Sequence, residues 1–150
     1  MQDGPNTKWA EVVDSISSSY KQHNYGQLFY AIVRLNRPLR CVEIGVSFGY
    51  STMHIAAALR DNNCGELHAF DLWRDEPMGR TFERFRTLGL LDDWAVFHQQ
   101  DAKYVPDLLT PTGDVVHIDI GNDGRTYLWA AHAFEKLLSP KGMLLLEGGT

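Results

Sequence analysis

Three features of this 150-residue sequence predict an α/β fold of the Rossmann-like, doubly wound kind. Five short apolar strand patterns alternate with amphipathic helical patterns, which right-handed crossovers turn into a parallel sheet with helices on both faces. The first strand pattern runs into VEIGVSFGYS, Val42 to Ser51, where an acid and two glycines precede the hydroxyl side chains that open a helix. An acid also stands at or just after each strand end, Glu43, Asp71, Asp101, Asp119 and Glu147, where ligands bind in open sheets of this kind. The aversion of acids for strand interiors accounts for part of that placement.

The elements follow in order. Trp9, Val12, Val13, Ile16 and Tyr20 recur at helical spacing and predict an amphipathic helix over 8–20, with a serine-rich end of weak propensity. Asn24 and Gln27 form a variant capping box for a second helix with Leu28, Phe29, Ile32 and Val33 on its apolar face, stopped by Pro38. Leu39 to Gly45 reads as a strand covered on both faces. MHIAAALR, after Thr52, is helical, and Asn62, Asn63 and Gly65 return the chain to a second strand, Glu66 to Phe70. The segment LWRDEPMG leads into a helix with Phe82, Phe85 and Leu88 on one face, ended by Gly89. Trp94 to His98 is the third strand, and Lys103 to Leu109 a short helix or turn interrupted by Pro106. After a loop at Thr110 to Gly113, Asp114 to Ile120 is the clearest strand. GNDGR then opens a helix with Tyr127, Ala131, Phe134 and Leu138 in register, which SerProLysGly ends. Met143 to Leu146 is the fifth strand and delivers Glu147 to its end.

Composition sets the broad class. With 44% hydrophobic and 22% charged residues the chain suits one soluble domain, 1–150, made of amino-terminal helices over 1–37 and a cofactor-binding sheet over 38–150. A net charge of -5 argues against nucleic-acid binding through bulk electrostatics. No basic head precedes an apolar run, and no apolar run approaches the roughly 18 residues that span a bilayer, so no membrane partner and a cytoplasmic location are expected. Cys41 and Cys64 lack CxxC spacing and read as free thiols. The six histidines stand singly, outside the HExxH spacing of a zinc helix.

The chemistry concentrates at the strand ends. Gly45 and Gly49 let a ligand approach the backbone, N–H groups at the following helix start can bind a phosphate or a carboxylate, and Ser47 and Ser51 add hydroxyls. A tight connection without a ligand is the plainer alternative. Asp71 stands where a carboxylate accepts both hydroxyl hydrogens of a ribose. Leu72 and Trp73 pack either on an adenine face or on the core edge. Gln100 and Asp101 either meet an exocyclic amine or, for Asp101, cap a helix. Alternation along DVVHIDI points His117 the same way as Asp119, making His117 either a general base or a hydrogen-bonded residue of the sheet layer.

VEIGVSFGYS, AFDLW, HQQDA, DVVHIDIGNDG and GMLLLEGG together resemble the successive motifs of class I S-adenosylmethionine-dependent methyltransferases, particularly small-molecule O-methyltransferases of the catechol and sugar types. The resemblance spans residues 25 to 149 and is best in the first motif, ExGxxxGxS. It implies that Glu43, Gly45, Gly49 and Ser51 surround the methionine part of the cofactor, that Asp71 meets the ribose, and that Gln100, Asp101 and Ala102 lie near the adenine. In metal-dependent members, acids matching Asp119 and Glu147 hold a divalent cation such as magnesium beside the acceptor oxygen, which makes Asp119 a catalytic candidate at the cofactor. Glu147 is followed by Gly148 rather than an acid or amide, a departure from the catechol-type pattern. Asn122 or Asp123 either completes the metal shell or forms a capped polar turn.

The function implied is methyl transfer from S-adenosylmethionine to a hydroxyl of a small molecule. An NAD-binding oxidoreductase shares the ribose acid but expects GxGxxG where this chain has GxxxG. A non-catalytic or incomplete cofactor-binding domain acting in assembly is the third reading. The resembled fold has two further strands, so the sheet is expected to be truncated after its fifth, with a homo-oligomer or a further C-terminal segment covering that edge.

Overall fold

The computed structural model describes residues 5–74, 77–110 and 113–147, with side chains from residue 7 onward. Residues 75 and 76 of the linker after the second strand, 111 and 112 of the loop before the fourth, and 148–150 after Glu147 lie outside the described residues. The order is α1 (Pro5–Asp14), α2 (Ser19–Gln22), α3 (Tyr25–Asn36), β1 (Arg40–Ile44), α4 (Tyr50–Asn62), β2 (Glu66–Asp71), α5 (Met78–Thr87) and β3 (Ala95–Gln99), then α6 (Val105–Leu108), β4 (Gly113–Ile118), α7 (Gly124–Phe134) and β5 (Leu138–Leu146).

All five strands are parallel, in the order β3-β2-β1-β4-β5. The order reverses between β1 and β4, so a crevice opens beyond their carboxyl ends. Side chains alternate between two cores. Cys41, Leu67, Ala69, Ala95 and Val115 face a layer of α1, α3, α4 and α5, whereas Val42, Ile44, Phe70, Val116 and Ile118 meet Val105, Ala130, Phe134 and Leu137. Helix α4 is buried along most of its length, and its Ala56-Ala57-Ala58 run lets α3 and the sheet approach closely.

Three boundaries differ from the sequence reading. The first helix divides at 15–18, because Ser15 Oγ donates to the Val12 carbonyl at 2.7 Å and the Ser18 side chain caps α2 by accepting from Tyr20 N. Serine hydroxyls compete for backbone partners in this way, and the break turns Ile16 and Tyr20 inward. The capping box at Asn24 does not form: Asn24 is left-handed, with φ of 57°, and makes no side-chain cap, which needs extended geometry. The SerProLysGly segment lies inside β5. That strand begins at Leu138, paired with Gly113, and its register shifts before Met143 pairs with Val115. Leu137 is buried in the core, and Leu138 packs against it partly buried.

Asp114 ties the base of the sheet together. Its carboxylate accepts from Leu39 N (2.8 Å), Arg40 N (3.2 Å) and Ser139 Oγ (2.8 Å), bridging β1, β4 and β5. Burial opposes its ionisation, but these hydrogen bonds and the Arg40 charge outweigh burial and lower its pKa. A lowered folded pKa gives stability that is present above the ordinary carboxylate range and lost as pH falls through the folded value. Asp114→Asn is predicted to cost about 1 kcal/mol at pH 7 after solvent screening. Urea denaturation at several pH values should find that difference vanishing in strong acid.

Candidate active site

The strand ends at the crevice are joined backbone to backbone. Gly45 N donates to the Phe70 carbonyl at 2.9 Å and Asp119 N to the Ile44 carbonyl at 2.8 Å. Gly45 has φ of 92°, and a Cβ there would lie 1.9 Å from the Asp119 carbonyl oxygen, so conformation and close approach both require glycine. Gly49, with φ of 85°, begins α4 against Thr81 and Phe85. Between them Ser47 is also left-handed, with φ of 48°.

The backbone N–H groups of this turn converge on Asp71. Its Oδ2 accepts from Val46 N at 2.7 Å and Ser47 N at 2.8 Å, and its Oδ1 accepts from Trp73 N at 2.6 Å. Three of roughly four lone-pair positions on the carboxylate are thereby used. Beside it lies a groove of about 640 Å³ lined by Ile44, Gly45, Ser47, Phe70, Asp71, Leu72, Arg74, Gln100, Asp101, Ala102, Asp119, Ile120, Gly121 and Asn122. A second cavity of about 270 Å³ shares Gly45, Ser47 and Asp119 with it and continues along Ser17–Tyr20, Val46, Phe48, Tyr50 and Ser51. Asp119 stands at the junction. Among the described residues, three carboxylates, Asp71, Asp101 and Asp119, edge the groove against one cation, Arg74.

Beneath the second cavity lies a buried polar chain. The Ser51 hydroxyl donates to Glu43 Oε1 at 2.6 Å, and His117 Nδ1 lies 3.0 Å from the same oxygen. Glu43 is 0% and His117 1% exposed. Among the described residues, Glu43 Oε2 and His117 Nε2 have no hydrogen-bond partner. Phe29 and Tyr20 cover the imidazole, with ring centroids 4.5 and 6.2 Å away.

The fold therefore brings most of the sequence candidates to one crevice. Gly45, Ser47, Asp71, Leu72, Gln100, Asp101, Ala102 and Asp119 line the groove and Ser51 the second cavity, while Glu43, Gly49, Trp73 and His117 line neither. Trp73 turns into the core, edge-on to Phe97 at 5.7 Å, because its backbone is left-handed with φ of 57°. His117 is hydrogen-bonded to Glu43 within the sheet layer and is buried there. Asp101 both edges the groove and caps the turn at Ala102–Tyr104 by accepting from Lys103 N at 3.0 Å. Asp123 is committed to the α7 N-cap, accepting from Arg125 N, Thr126 N and Thr126 Oγ1.

For the proposed cation, Asp119 and Glu147 follow adjacent strands, and Glu147 N donates to the Ile118 carbonyl at 3.1 Å. Asp119 Oδ2 already accepts from the Tyr20 hydroxyl at 2.7 Å. Among the described residues, no group of three or more His, Cys, Asp or Glu side chains is placed to hold a metal. Sequence reasoning missed Tyr20 and Arg74. A hydroxyl on an otherwise apolar helix face, and a lone cation just after the ribose acid, were the available signals.

A family model described as a methyltransferase domain matches residues 42–147. The chain belongs to this family. The match runs from β1 through Glu147, so it takes in the glycine turn, Asp71, the Gln100–Ala102 wall and Asp119 of this methyltransferase domain. No curated protein matches the sequence. Among solved structures, the chain is similar to an S-adenosylhomocysteine-bound methyltransferase of Podospora anserina, PaMTH1, with a TM-score of 0.75 and 22% identity over 98% of this chain and 62% of that one. It is also similar to the O-methyltransferase TomG of Streptomyces achromogenes, solved with S-adenosylmethionine and involved in tomaymycin synthesis (TM-score 0.69, 23% identity, 97% of this chain and 66% of that one). An O-methyltransferase of Bacillus cereus in complex with S-adenosylhomocysteine is a third (0.72, 15%, 97% and 66%). At these identities the likeness establishes a shared fold. The methyltransferase domain described here spans less than two thirds of the length of these structures. Among its described residues no helix is long and apolar enough to cross a membrane.

Proposed function

We propose that this domain transfers the methyl group of S-adenosylmethionine to a hydroxyl oxygen of a small molecule. The observation that carries the reading is the Asp71 carboxylate seated on the N–H groups of Val46 and Ser47. In a dinucleotide-binding turn such groups face a pyrophosphate. Here a carboxylate takes them, and Asp101 and Asp119 edge the same groove. A pyrophosphate would be repelled there, whereas the sulfonium and ammonium of S-adenosylmethionine are attracted.

In this reading the remaining lone pair of Asp71 would hold one ribose hydroxyl, Phe70, Leu72, Gln100, Asp101 and Ala102 would hold the adenine, and Gly45, Ser47 and Ser51 would hold the methionine end. Glu43 fixes the Ser51 hydroxyl from below. S-adenosylmethionine would supply an electrophilic methyl group, its carbon–sulfur electron pair leaving on sulfur as the acceptor oxygen bonds to the methyl carbon, and the Asp119 carboxylate would take the acceptor proton. Alignment and exclusion of water supply most of the rate. The modest cavities support a small acceptor, and further chain or a second copy covers the open edge of β5.

S-adenosylhomocysteine at about a hundredfold excess over its Kd should add about 2.7 kcal/mol of stability, a rise of roughly 5–10 °C in Tm. NAD should leave Tm unchanged. A shift with NAD alone, or with neither, would overturn the cofactor assignment.

A further inference from the structure

Behind the Phe70 wall of the groove, two histidines on neighbouring strands meet. His98 on β3 stands opposite Phe70 on β2 in the sheet register, and His68 precedes Phe70 on the same face of β2. His68 Nδ1 lies 3.0 Å from His98 Nε2. Their ring centroids are 5.3 Å apart, about the largest separation that such a contact allows, so the imidazoles meet nitrogen to nitrogen rather than face to face. His98 does lie flat on Phe70, with centroids 4.5 Å apart and planes 16° from parallel. On the other side of His68, its Nε2 is 3.0 Å from Glu66 Oε1, which Arg40 Nη2 on β1 also approaches at 3.5 Å.

Chemistry fixes the direction of each hydrogen bond in this chain. A carboxylate only accepts, so His68 Nε2 carries a proton and donates to Glu66. A neutral His68 then has its lone pair on Nδ1, His98 Nε2 donates to it, and the His98 lone pair is left on Nδ1. The hydrogen bond from His68, then the charges of His68 and Arg40, outweigh burial and hold Glu66 below the usual carboxylate range, so it stays an acceptor. One added proton leaves the chain whole: on His98 Nδ1 it disturbs no bond, and on His68 it turns the bond round so that His98 accepts. A second proton sets N–H against N–H between two cations. Burial, then the charge of His68, lowers the pKa of His98. A histidine with a lowered folded pKa contributes stability that is present above its ordinary value and lost as pH falls through the folded one.

We propose that Glu66, His68 and His98 form a proton-sensitive prop behind Phe70, whole with at most one added proton and broken by two, so that acid displaces His98 and loosens the Phe70 wall of the groove. The effect on cofactor binding rests on the methyl-transfer reading, because Phe70 lines the groove assigned to the adenine. The hydrogen-bond chain does not depend on that reading.

The test begins with the parent protein. Long-range proton–nitrogen NMR at about pH 7, above the ordinary histidine pKa, should find Nε2 protonated and Nδ1 bare on both imidazoles. A proton on His68 Nδ1 would overturn the proposal, a result independent of how any variant folds. Calorimetry then compares the parent with His98→Phe, which keeps a ring against Phe70 and takes up no proton. Between about pH 7 and about pH 5, S-adenosylhomocysteine should lose at least about fivefold in affinity for the parent, the lower end of typical coupling between linked sites, and less than about twofold for His98→Phe. Equal losses in the parent and a folded His98→Phe would overturn the proposal. Urea midpoints of the two proteins over the same range keep the readings apart, since the parent should fall further than His98→Phe. If S-adenosylhomocysteine binds neither protein, the cofactor assignment fails while the urea comparison still decides whether the chain responds to acid. Equal falls in midpoint would overturn that response.

Discussion

Asp71→Ala is expected to weaken S-adenosylhomocysteine binding at least about 100-fold, or about 2.7 kcal/mol. The carboxylate serves twice in this account. It holds the N–H groups of Val46 and Ser47, and so the shape of the glycine turn, while its remaining lone pair and its charge face the groove. A hydrogen bond to a charged group contributes about 1.5–3 kcal/mol, so losing the ribose contact and the turn together reaches the expected loss. Asp71→Asn keeps an acceptor oxygen without the charge and should fall between parent and alanine. Titration calorimetry on the three proteins measures the series. A Kd for the alanine variant within threefold of the parent would mean that the nucleoside does not sit on Asp71.

The second large effect concerns stability. His117→Leu removes one of the two hydrogen-bond partners of a Glu43 carboxyl group that has no exposure, leaving only Ser51. Leaving a buried polar group short of a partner costs about 1–3 kcal/mol, in addition to the lost packing, several degrees in Tm for a chain of this size. Replacing both members, Glu43→Leu with His117→Leu, removes the stranded polar group as well, and the double variant should recover part of the loss. Urea denaturation of the parent, both single variants and the double variant gives the coupling. A double variant less stable than His117→Leu alone would show that the pair stabilises the fold beyond satisfying a buried polar group.

The sheet was legible because its signals are local. Continuous apolar runs mark β1 and β4, the alternation in DVVHIDI assigns Val115 and Val116 to opposite cores, and acids collect at the strand ends. The crevice followed from that order, since Gly45, Asp71, Gln100 and Asp119 each end or follow a strand. What sequence reasoning could not reach depends on side-chain direction and long-range contact. Trp73 follows the ribose acid, but its left-handed backbone sends the indole into the core. Helical periodicity carried Tyr20 as an apolar-face residue, while serine side chains competing for the backbone broke the helix and brought its hydroxyl to a residue 99 positions away. The SerProLysGly segment reads as a helix stop, and it joins β5 because Leu138 pairs with Gly113 across the sheet.

The most direct test of the central claim is a crystal structure of this domain with S-adenosylhomocysteine bound. A ribose hydroxyl is expected on the remaining lone pair of Asp71, the adenine between Leu72 and the wall at residues 100–102, and the thioether sulfur beside Asp119. A nucleoside bound elsewhere, or oriented with its ribose away from Asp71, would contradict it.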